Sequence, residues 1–119
     1  MIPLLLMLAI DISAPMEPMP ASAFASEFVM QINRGPMGML PAGGCMALAV
    51  TLDADGAPRD TAIIRSSRQY PIDRGVLLAL KHHRFDPAGL AEGTTWKVFF
   101  SWSKDGRRAQ LSNTCVDLG

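Results

Sequence analysis

A surplus of charge is the first thing this sequence lacks. Its 11 Lys and Arg are matched by 11 Asp and Glu, so nothing in the balance favours non-specific capture of nucleic acid. Histidine is scarce. The 2 present are the neighbours His82 and His83, which on a helix point about 100° apart and are poorly placed to share a metal or a substrate. No Ser/His/Asp set, phosphate-cradling glycine loop or carboxylate pair stands out. The 2 cysteines form no C-x-x-C, which removes the usual redox motif. No apolar run approaches the roughly 20 residues that a bilayer-spanning helix needs. We therefore expect a protein that is not an enzyme and not an integral membrane protein, with no catalytic residue, cofactor, metal or small-molecule substrate.

What is present suffices for one folded domain. A chain of 119 residues can bury roughly 65% of its unfolded surface, and 49% apolar against 18% charged residues excludes wholesale disorder. The charges that cancel overall are unevenly placed. Residues 1–56 carry one base, Arg34, against five acids, whereas residues 59–108 carry ten bases against five acids. A solvated basic face is the plainer account, and attraction to an acidic peptide is the sharper one.

Ile2 to Ile10 is a short apolar run interrupted by Pro3, and Ala21-Ser22-Ala23 and Ala23-Phe24-Ala25 offer small-residue cleavage sites downstream. Residues 1–25 read as a signal-like segment followed by a Pro/Ala/Ser linker over 13–23, which implies export. The other reading of the run is an apolar strand or helix packed on the domain. Residues 26–119 then hold the domain, opening with about two helical turns over 26–33 and a Gly/Pro loop over 35–44. Methionine is abundant, with 8 residues, and Met16, Met19, Met37 and Met39 fall in this leading part. Thioethers suit cuprous ions, but gap filling is the better account of so many.

Met46 to Leu52 alternates: Met46, Leu48, Val50 and Leu52 share one face of a strand, Ala47, Ala49 and Thr51 the other. Asp53-Ala54-Asp55-Gly56 supplies turn chemistry and Arg59 to Arg65 the return strand. From Ile72 to Arg84 the period becomes helical, with Ile72, Val76, Ala79, Leu80 and His83 in one stripe and Pro71 and Asp73 suited to the first turn. Thr94 to Trp102 is the strongest strand, and Asp105-Gly106 allows a short fourth around Arg108 to Ser112.

Counting directions gives an α+β fold. It has a small antiparallel sheet of three strands in order 2-1-3, with room for a short fourth, and one main helix on one face. The expected core includes Leu48, Val50, Leu52, Val76, Leu80, Phe85, Val98 and Phe100. Cys45 and Cys115 bracket this region, and a bridge between them or two unpaired small side chains are equal readings. A bridge would contribute about 4 kcal/mol on the chain-entropy model. A long terminal hairpin would carry Cys115 away from Cys45, whereas a short one followed by a returning tail would permit both features.

Taken together, several runs resemble one family. Gly44 to Gly56 looks like its first strand and D-x-D-G turn, and Ile63-Ile64-Arg65-Ser66-Ser67 like its second strand ending in paired serines. Ile72-Asp73, Ala79-Leu80 and Arg84-Phe85-Asp86-Pro87 look like its helix and closing R-F-x-P, and Trp96 to Phe100 like its final strand. Over about residues 43–106 the chain resembles the C-terminal domain of TonB-type energy transducers. The membrane helix and long Pro-rich linker of a full transducer are not among these residues, and His83 stands where the family has a bulky aromatic.

The resemblance implies a periplasmic module that adds an extended segment of an outer-membrane receptor to its sheet edge. The expected peptide-binding edge is the third strand: Thr95, Trp96, Lys97, Val98, Phe99, Phe100, Ser101 and Trp102. Its unpaired N–H and C=O groups would hold the partner. The competing expectation is a self-associating accessory domain, a homodimer through the same edge.

Overall fold

In the computed structural model, the residues described are 10–24, Phe28 and 43–119. Most of the apolar run over 2–10, all but Phe28 of the helix expected over 26–33 and most of the loop expected over 35–44 lie outside them. A 3-10 turn, Ala21–Ala23, precedes β1 (Gly44–Leu52), β2 (Pro58–Arg65), α1 (Tyr70–Lys81), β3 (Thr95–Trp102) and β4 (Ala109–Ser112). The strands form one antiparallel sheet in the order β2-β1-β3-β4. The fold is the α+β arrangement expected, with the short fourth strand present.

β1 is the centre of the sheet, and every residue from Met46 to Leu52 is buried. Its large alternate residues, Met46, Leu48, Val50 and Leu52, join Ile72, Val76 and Leu80 of α1 and Val98, Phe100 and Trp102 of β3 in one cluster. The opposite row is Ala47, Ala49 and Thr51, and the Thr51 hydroxyl is 2.7 Å from that of Thr95 across the strands. At the start of β1, Gly44 lies under the indole of Trp102, which would be 2.5 Å from an added Cβ. A side chain there would displace the ring.

The β1–β2 turn does more than reverse the chain. Asp53 Oδ1 accepts from the N–H groups of Asp55 and Ala57, and Gly56 takes φ +85°. Buried Gly56 then accepts a hydrogen bond from Phe85 N–H at 2.9 Å, with the Phe85 carbonyl only 2.0 Å from where a Cβ would stand. The D-x-D-G turn is thus the docking point for the segment leaving the helix, a close approach that glycine alone permits.

α1 starts where its local chemistry says it should, with Pro71 in the first turn and Asp73 near the positive end of the dipole. The Asp73 carboxylate accepts from Ser66 Oγ, Ser67 N–H and Ser67 Oγ, so the paired serines bind the strand's end to the helix. The helix ends at Lys81, earlier than Arg84, because the chain tightens at His82. His83 still reaches the core, at 7% exposure, with its ring edge-on to Phe85 at 4.7 Å and to Phe28 at 5.3 Å. It does an aromatic side chain's packing.

Candidate peptide-binding edge

β3 pairs along its whole inner margin with β1, from Gly44 opposite Trp102 to Thr51 opposite Thr95, without a break. Val98, Phe100 and Trp102 turn their side chains to the helix-side core. Lys97, Phe99 and Ser101 alternate with them, on the opposite face.

The sequence leaves the outer margin open unless the C-terminal segment covers it, and in the structure the chain lies along it. β4 pairs with the second half, placing Ser112, Leu111, Gln110 and Ala109 opposite Phe99, Phe100, Ser101 and Trp102. The first half is met by the chain's own leading segment. Lys97 N–H donates to the Glu17 carbonyl at 2.9 Å, and Met19 N–H donates to the Lys97 carbonyl at 2.9 Å, a parallel bridge centred on Pro18 and Lys97. The edge expected over Thr95–Trp102 is therefore lined by two stretches of this chain laid end to end.

The covering stretch belongs to the folded body, so the domain begins before residue 26. Met19 is 0% exposed and Ala23 1%, both within the core cluster. Phe24 packs edge-on against Phe85 at 5.5 Å, and Asp86 N–H donates to the Ala23 carbonyl. Reading 13–23 as a linker missed this because proline is normally excluded from a ladder. In a parallel bridge, however, residues 17 and 19 make the bonds, and Pro18 turns its donor-less nitrogen away from β3. The one available signal was Met19, a large apolar side chain that a solvated linker has no reason to hold.

The two cysteines are joined: Cys45 and Cys115 have Cα atoms 5.8 Å apart and close a span of 70 residues. The conflict between bridge and hairpin is resolved by length. The β3–β4 turn is tight, with Ser103 N–H donating to the Arg108 carbonyl and Gly106 N–H to that of Ser103. β4 lasts only four residues. The tail then comes back, with Val116 N–H donating to Ser101 Oγ and Lys104 N–H to the Gly119 carbonyl.

The margin carries no constellation for chemistry. Among the described residues there is no group of three or more His, Cys, Asp and Glu placed to hold a metal ion, and no helix is long and apolar enough to cross a membrane. His83 is pushed below its ordinary value by burial, as fits a ring used for packing. No family model matches this chain, and no curated protein or solved structure matches it either.

Proposed function

We propose that this chain is a non-catalytic periplasmic interaction module of TonB type, which adds an extended peptide of an outer-membrane receptor to the outer margin of β3 and so supports energy-dependent transport. The observation that carries the reading is the pairing of Glu17–Met19 with Lys97. It is a margin on which an extended ribbon is held by main-chain atoms, the chemistry of strand addition. The order of strand, D-x-D-G turn, helix and R-F-x-P also supports it. The Cys45–Cys115 bridge suits an oxidising compartment such as the periplasm.

Titrating isotope-labelled protein with a TonB-box-like peptide tests the reading. The expected result is movement of the amide signals of Thr95 to Val98, the half of β3 that β4 leaves unpaired, ahead of those of β2. Unmoved β3 signals under saturating peptide would remove it.

A second reading, self-association, is favoured by a different place. β2 has no strand on its outer side among the described residues, and beside it Tyr70 and Leu78 are exposed at 71% and 47%. Light scattering on the purified chain tests it: a dimer supports self-association, and a monomer returns the function to β3.

A further inference from the structure

The segment on β3 describes the ribbon that the margin accepts. β1–β2, β1–β3 and β3–β4 are all antiparallel, whereas the Pro18–Lys97 bridge is parallel. It occupies a slot bounded by β4, whose pairing reaches no further along β3 than Phe99. One apolar residue anchors it, Met19, fully buried against the core. The next contacts of the chain with the body are made by Ala23 and Phe24, through Asp86 and Phe85. Between Met19 and Ala23 lies Pro20, whose carbonyl accepts from Ala23 N–H, so the turn at Ala23 is held independently of the bonds to Lys97.

We propose that Glu17–Met19 is a built-in competitor for the partner's place, a proposal that rests on the strand-addition reading above. The partner is accordingly an extended segment running parallel to β3. Its residue opposite Lys97 needs no N–H, and the residue after it carries a large unbranched apolar side chain that takes over the Met19 pocket. A tethered competitor is present at high effective concentration. It lowers the apparent affinity of any visitor by the fraction of molecules in which the slot is open.

The probe is a labelled peptide of residues 15–23, Pro-Met-Glu-Pro-Met-Pro-Ala-Ser-Ala, offered to the full chain and to its Met19→Asp variant. The variant is expected to bind the peptide about tenfold tighter than the wild type, or better, because its own segment no longer holds the slot. A peptide carrying Asp at the same methionine should not bind. Equal affinity for the two proteins overturns the proposal.

Amide exchange on the unaltered protein gives a check that does not depend on the variant folding. Lys97 N–H, which faces the segment, should exchange about 100-fold faster than Trp96 and Val98, whose alternate N–H groups face β1. Lys97 protected as well as they are would also overturn it. The two readings fail separately. Binding of the chain's own peptide without binding of receptor-type peptides keeps the competitor and removes the transport role. Receptor-type binding with Lys97 locked keeps the role and removes the competitor.

Discussion

The two sides of β1 are built differently, and the difference bears on how each margin of the sheet is finished. On one side β3 runs in unbroken register for its whole length. On the other, the β1–β2 register slips twice, between Ala47 and Leu48 and between Thr51 and Leu52, leaving Ile64 and Arg59 without partners, and β2 opens on Pro58. Bulges and an edge proline twist a strand and interrupt its ladder, the devices by which proteins keep an exposed edge from pairing indiscriminately. β2, with no strand on its outer side among the described residues, is the less regular template of the two. β3 keeps an unbroken register, a good template, and it is the one along which the chain lays its own segments.

The harshest way to break this contrast acts on the strand both sides share. Val50 is fully buried on β1, and Val50→Asp places an unpaired carboxylate there at a cost of several kcal/mol. Loss of the cooperative thermal transition is expected, with both margins gone together. Removing the disulfide should separate them. Cys45→Ala with Cys115→Ala opens a span of 70 residues, worth about 4 kcal/mol on the chain-entropy model, and releases the tail from Ser101. Denaturant melts measure the loss. Amide exchange should rise first at Ala109 to Ser112 and only later in β2.

The sequence made one side of this contrast far easier to see than the other. Alternation in Met46 to Leu52 and Thr94 to Trp102 announced the strands, and the stripe from Ile72 to His83 announced the helix, because each buries a periodic face against the same core. Every residue expected in that core is buried. The cover on β3 has no period to detect. It is one ladder rung held by Glu17 and Met19 around a proline, and such a contact exists only once β3 is in place. Nor could spacing alone say whether the tail continues outward or returns, since that turns on the reversal after Ser112 that brings Val116 to Ser101. Both the unread cover and the open choice concern long-range covering of one margin. Local pattern does not encode them.

A smaller perturbation sharpens the contrast from the β2 side. Gly56→Ala would put a Cβ against the Phe85 carbonyl at a residue with φ +85°. The expected cost is about 1–3 kcal/mol, from strain and from a turn that must shift. Because Gly56 also accepts the Phe85 N–H, the loosening should spread to the β1–β2 turn and to Phe85 while leaving the β3–β4 pairing intact. Chemical shifts of Asp53 to Arg59 against those of Ala109 to Ser112 measure the difference.

The gentlest test uses pH, and it acts from the β3 side. His83 lies between Phe28 and Phe85, and Phe85 in turn supports Phe24 next to the Ala23 attachment. Burial holds the imidazole below its ordinary value of 6.5, so the unfolded chain binds this proton more readily than the folded one. The stabilisation is therefore complete above about pH 6.5 and falls as the pH drops through that value towards the lowered folded one. His83→Phe keeps an aromatic ring in the same place and should flatten this part of the stability profile below about pH 6.5. In the unaltered protein, mild acid should loosen Ala23 and Phe24, and with them the hold of Met19 on the slot, before it affects the bulged β2 margin. Fluorescence or exchange measured at both margins across that pH range decides the point, and equal loosening of β2 and β3 would mean that His83 serves the whole core instead of the segment beside it.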